Sequence, residues 1–200
     1  MLGRGSSLLC VVAGWLLFQP WAMADPDIDV VYDGIRLEFR LEAPIQAPLA
    51  AVVAVVHDYD RLERILPLVV ASRFLGPAGD GIERVFTLMR GCLLFVCREG
   101  PHTIDVRRVD GGWSSGITVP ELSRVRRGQF SWKIGQDGDD SAGARIQMYG
   151  YFEPDFGVPR LLGPPLVRMW VRSELRDSVG RIERAAIAHQ DRQAVTVAPR

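Results

Sequence analysis

Hydrophobic and polar residues alternate most cleanly over residues 32–41, where Ile35, Leu37, Phe39 and Leu41 interleave with Arg36, Glu38, Arg40 and Glu42. A period of two predicts a half-buried strand with one solvated face, which Pro44 and Pro48 then break. Pro48 suits the first turn of a helix, and Leu49–Val56, mostly alanine and valine, predicts a short apolar one. His57-Asp58-Tyr59-Asp60 interrupts it, and Asp60 is placed to cap a second short helix over residues 61–66, ended by Pro67. Strand-like stretches then recur over residues 69–75, 82–89, 95–109, 113–119, 125–134 and 144–152, with turn residues between them. The stretch 95–109 carries an interruption at Gly100-Pro101. Short strands at such spacing predict an antiparallel meander. Over residues 164–189 the period becomes helical: Val167, Val171, Leu175, Ser178, Ile182 and Ala185 recur at spacings of three and four, widened by Trp170, Val179 and Ala186.

One strand, two short helices, about six further strands and a long final helix make an α+β chain. The arrangement expected is a curved antiparallel sheet of about seven strands wrapped around the C-terminal helix, with a hollow between them. Three strand rows carry large side chains: Phe130, Trp132 and Ile134; Ile146, Met148 and Phe152; and Trp113, Ser115, Ile117 and Val119. Trp113, Ile117, Phe130, Trp132, Met148 and Phe152, with Val171 and Leu175 from the helix, are the residues expected to line the hollow. The same concave face serves equally as the wall of a ligand cavity or as a filled core, and the pattern alone leaves both open.

The N-terminus changes the address. Arg4 precedes an apolar run over residues 8–18, followed by Gln19-Pro20-Trp21 and Ala22-Met23-Ala24. A charged start, a short apolar stretch and an A-x-A site read as a secretory signal peptide over residues 1–24. The run is shorter than the roughly 20 residues of a spanning helix. The expectation is one domain over residues 25–190, a flexible tail over 191–200, and a periplasmic or secreted location. An uncleaved signal tethering the domain to the inner membrane is the alternative. Cleavage would remove Cys10 and leave Cys92 and Cys97 in an oxidising compartment, flanking a loop short enough to join two antiparallel strands. A bridge across that hairpin is the expected state, with two free buried thiols as the other possibility. The formal net charge is +0, without the basic excess that nucleic-acid binding calls for.

Catalytic patterns are sparse. His57, His102 and His189 fall on three different elements and lack metal-ligand spacing, so neither metal nor cofactor is expected. Ser114-Ser115-Gly116 lacks the nucleophile-elbow sequence. Asp58 with Asp60, and Glu153 with Asp155, sit at element boundaries, where capping and turn formation account for them better than acid/base work. Arg168, Arg172 and Arg176 stand one turn apart on the last helix, with Arg181 and Arg184 beyond. They form a solvated face laced with Glu174, Asp177 and Glu183, or a transient contact with an anionic membrane surface. Arg124, Arg126 and Arg127 could extend that surface or protect a strand edge.

Three segments carry a family likeness. Residues 55–67 (VVHDYDRLERILP) place a helix pair before a proline and a strand, Val69 to Leu75. Residues 151–159 (YFEPDFGVP) make a turn from the last strand into the final helix. With the element order, they resemble the helix-grip fold of the START-like superfamily, which includes polyketide cyclase/dehydrase-like and coenzyme-Q-binding proteins. The resemblance implies a binder or carrier of a hydrophobic small molecule (a lipid, isoprenoid or quinone-like compound) held between sheet and helix. It also allows a cyclase/dehydratase-type enzyme, for which Arg90, His102, Asp105 and Tyr149 are the ionisable candidates. An interaction module with a filled core, docking through the basic helix face, is the third class.

Overall fold

A computed structural model describes residues 25–93, 96–138, 142–155 and 163–197 of the 200-residue chain. The expected signal peptide lies outside the described residues, as does part of the turn before the last helix. Eight strands are present: β1 (Asp27–Tyr32), β2 (Leu37–Ile45), β3 (Val69–Gly79), β4 (Ile82–Leu93), β5 (Val96–Val109), β6 (Trp113–Thr118), β7 (Val125–Gln136) and β8 (Ala144–Pro154). They form one antiparallel sheet in the order β1-β2-β8-β7-β6-β5-β4-β3. Helix α1 (Leu49–Val56) and a 3-10 turn (Tyr59–Arg64) follow β2, and helix α2 (Gly163–Val197) closes the chain. The result is the expected curved α+β sheet with a long C-terminal helix on its concave face.

The eighth strand is β1, whose Ile28, Val30 and Tyr32 point inward between Asp27, Asp29 and Val31. It pairs with β2 through a tight turn. Asp33 Oδ1 accepts hydrogen bonds from the amides of Ile35 and Arg36, both at 2.8 Å, and Gly34 supplies the positive φ of 100°. Ile35 therefore belongs to the turn and is 63 % exposed, not part of the inward row.

Two prolines expected to interrupt strands, Pro44 and Pro101, lie within them, whereas Pro48 stands at the start of α1. Pro44 falls in β2 beyond the last residue paired with β1, Glu42. Pro101 falls in β5 before pairing with β6 begins at Ile104. At each point one edge of the strand has no partner strand, so the missing amide hydrogen breaks no ladder. Asp60 caps no helix: its Oδ1 accepts from the Phe74 amide at 2.8 Å and ties the 3-10 turn to β3. Helix α2 runs past the expected end near His189, on to Val197. No glycine or proline interrupts that stretch, and the Gln193 and His189 side chains meet at 3.0 Å one turn apart.

Helix α2 is seated chiefly on α1 and β1. Ser178, Val179, Ile182 and Ala186 are buried there, and Glu183 Oε2 accepts the Gln46 amide at 2.8 Å. No described helix is long and apolar enough to cross a membrane. At the far end of the sheet Cys92 and Cys97 face each other across β4 and β5 and form a disulfide. The bridge closes a small loop, so reduction should lower stability by about 2 kcal/mol while leaving the fold intact. Urea unfolding with and without reductant, against a Cys92→Ser/Cys97→Ser variant, measures this; identical curves would mean that the bridge adds nothing.

Candidate functional site

The concave face is a register of aligned rows. Pairing places Val106, Gly116, Phe130, Gly150, Phe39 and Val30 side by side across six strands. A neighbouring row runs through Ser114, Trp132, Met148, Leu41 and Ile28. Strand β6 therefore turns Ser114, Gly116 and Thr118 inward, opposite to the face expected from its hydrophobicity. Trp113 and Ile117 lie on the convex face and cannot line the hollow. Trp113 meets the exposed Tyr149 edge-on at 5.2 Å, and Ile117 is 53 % exposed. Steric need explains the reversal. The ring of Phe130 lies over Gly116, where a Cβ would come within 2.9 Å of its Cζ. Small residues of β6 face the hollow because the large ones of β7 occupy the space above them.

Two more glycines repeat the device. A Cβ on Gly128 would stand 2.6 Å from Thr118 Oγ1 and 2.7 Å from the Phe152 ring, and one on Gly150 would run into Gln129 and Phe130. Bare backbone thus supports a continuous aromatic floor. Phe39 stacks on Phe152, Phe152 meets Phe130, and Phe130 stacks on Trp132, each at 5.6 Å between centroids. Trp132 is buried, whereas Phe130, Met148 and Phe152 are half-buried. Val171 and Leu175 of α2 are half-buried as well and pack against the core. Trp170 lies against Gly91 of β4, and the Glu174 carboxyl is raised above its usual range by burial and by Asp177. Of the eight residues expected to line the hollow, Trp113 and Ile117 lie on the outer face, Phe130, Trp132, Met148 and Phe152 on the concave face, and Val171 and Leu175 on α2; Phe39 and the three glycines were missed. Phe39 was visible in the alternation, but nothing there separates floor from core.

A polar strip crosses the floor. His102 is 5 % exposed, its Nε2 lies 3.0 Å from Thr118 Oγ1, and its ring meets Phe152 edge-on at 5.8 Å. Thr87 Oγ1 donates to the His102 carbonyl at 2.9 Å. Burial lowers the imidazole pKa to about 4, so the ring is neutral at pH 7. Of the four ionisable candidates only His102 lies inside. Arg90 pairs with Glu99 at 2.6 Å and Asp105 with Arg84 at 2.7 Å, all on the outer face with Tyr149. The boundary carboxylates serve ion pairs. Asp58 meets Arg61 and Arg64, Glu153 meets Arg36 at 2.9 Å, and Asp155 lies 4.0 Å from Arg126.

A family model described as polyketide cyclase / dehydrase and lipid transport matches residues 36–186. The chain is similar in structure to a START superfamily protein from Mycobacterium smegmatis, with 13 % identity and a TM-score of 0.59 over 76 % of this chain and 97 % of that one. It is similar to a STAR-related lipid transfer protein from Xanthomonas axonopodis, with 19 % identity and a TM-score of 0.52 over 78 % and 98 %. It is also similar to the Zhui aromatase/cyclase of a Streptomyces species, with 13 % identity and a TM-score of 0.54 over 80 % and 96 %. No curated protein sequence matches the chain. At these identities the likeness is one of fold.

Two outcomes follow from the packing. Gly128→Ala should destabilise the domain by about 1–3 kcal/mol, because Thr118 and Phe152 must both move; a urea midpoint equal to wild type would refute it. His102 ties stability to pH. The unfolded chain takes up its proton near pH 6.5 and the folded chain only near 4. The unfolded state binds more protons between those values. Stability is therefore lost as pH falls through that window, by on the order of 3 kcal/mol. His102→Asn should flatten this part of the profile, read from unfolding curves at about pH 4 and about pH 7.

Proposed function

The chain belongs to the polyketide cyclase / dehydrase and lipid transport family, and from that premise we propose that it is an exported carrier of a hydrophobic small molecule. The observation that carries the reading is the aromatic floor of the concave face, where Phe130, Met148 and Phe152 are only half-buried, as are Val171 and Leu175 of α2. In a filled core these side chains would close over one another. Here they keep accessible surface, which an apolar guest would remove from water at about 25 cal/mol per Å². The ligand is lipid-, isoprenoid- or quinone-like in this reading, consistent with an envelope location. The N-terminal pattern at residues 1–24 supports export. Arg168, Arg172 and Arg176 are exposed on the outer side of α2 and supply a basic face for transient contact with anionic lipid.

A second reading, catalysis of cyclase or dehydratase type, is favoured by His102. A neutral imidazole in contact with the floor is a general base within reach of a bound molecule. The two readings part on what is recovered: a carrier returns its ligand unchanged in mass, and an enzyme does not.

Native mass spectrometry of protein purified from its own compartment should find an apolar adduct on a chain that begins near Asp25. Leu175→Trp, which adds bulk to α2, should lose the adduct while keeping the unfolding midpoint. A ligand-free wild-type protein that binds no lipid extract would sink the carrier reading. A mature chain still beginning at Met1 would sink cleavage alone.

A further inference from the structure

The buried polar groups of the domain are uncharged. Among the described residues they are Thr87, His102, Thr103, Ser114, Thr118 and Ser178, with no arginine, lysine, aspartate or glutamate. The ionisable side chain on the helix wall is Glu174, beside Trp170, and a carboxylate there repels anions. A carboxylate or phosphate entering this space would shed its hydration and find no buried cation to replace it.

Two buried polar atoms among the described residues, Tyr59 Oη and Trp132 Nε1, have no hydrogen-bond partner, and the second lies on the concave face. Trp132 is 5 % exposed, and its indole Nε1–H has no acceptor. It stands opposite the buried Ser114 across β6 and β7 and stacks on Phe130 at the end of the aromatic floor. Buried donors are nearly always satisfied, and an unmet one costs free energy that an acceptor would return. The indole nitrogen is shielded from solvent. A guest that bonds it displaces side chains that now cover it.

Resting on the carrier reading, we propose that the ligand is uncharged where it is buried and presents a carbonyl or hydroxyl oxygen that accepts the Trp132 Nε1–H. Free fatty acids and phospholipid headgroups are disfavoured on the same grounds. The indole thereby sorts oxygen-bearing neutral molecules from plain hydrocarbons, and the absence of buried cations sorts them from acids.

Three fluorescent probes of one shape test this on the mature protein at neutral pH: pyrene, 1-pyrenemethanol and 1-pyrenecarboxylate, titrated by calorimetry and fluorescence. The alcohol should bind about 3- to 10-fold tighter than pyrene, the range one hydrogen bond supplies. It should exceed the carboxylate by at least about tenfold. Trp132→Phe, which keeps a ring and removes the donor, should abolish the alcohol's advantage over pyrene. A carboxylate that binds as well as the alcohol overturns the proposal and leaves the carrier reading standing. So does an advantage that survives Trp132→Phe. Failure of all three probes overturns the carrier reading, and this proposal with it. Should Trp132→Phe lose cooperative unfolding, the ranking of alcohol against carboxylate on wild-type protein decides.

Discussion

Phe130 and Phe152 rest on strand backbone that carries no side chain, and the shape of the concave face follows from that contact. A Cβ at Gly116, Gly128 or Gly150 would collide with ring, hydroxyl or carbonyl. With the glycines in place the rings settle close to the sheet, in a line from Phe39 to Trp132. Aromatic side chains bring large apolar area with little rotamer freedom to lose. Laid low on backbone, they cover the sheet with apolar surface. The floor is thus a product of where side chains are absent.

The helix on this face is held unevenly. Its C-terminal half is buried against α1 and β1 and tied to the Gln46 amide through Glu183. In its N-terminal half Trp170, Val171 and Leu175 are half-buried, with Trp170 against Gly91 of β4. Firm seating at one end and partial contact at the other suit the proposed carrier, which would admit a guest without losing its core. The polar strip adds orientation. Thr87 and Thr118 fix His102, and burial keeps its imidazole neutral, so the strip offers hydrogen bonds without demanding a counter-ion.

The architecture was largely legible in the chain because hydrophobic period reports burial directly. Leu37, Phe39 and Leu41 alternate and are buried; Val179, Ile182 and Ala186 share a helical stripe and are buried. What failed was whatever depended on a neighbour. Trp113 and Ile117 are the larger apolar residues of β6, yet pairing with β5 and β7 turns them outward, and pairing is not written in one strand's own sequence. Pro44 and Pro101 read as breaks because their effect depends on whether an adjacent strand needs the missing amide. Asp60 reads as a cap, but its partner, the Phe74 amide, lies fourteen residues away. The orphaned indole of Trp132 is a property of the assembled fold and has no sequence signal.

The cross-link between Cys92 and Cys97 carries a consequence for how the protein is made. Those two and Cys10 are the three cysteines of the chain. A form cut after Ala24 keeps only the pair that faces across β4 and β5. Such a molecule has a single intramolecular pairing available, so there is no wrong isomer to correct. Its maturation calls for an oxidant in the compartment where it folds and makes no demand on a disulfide isomerase.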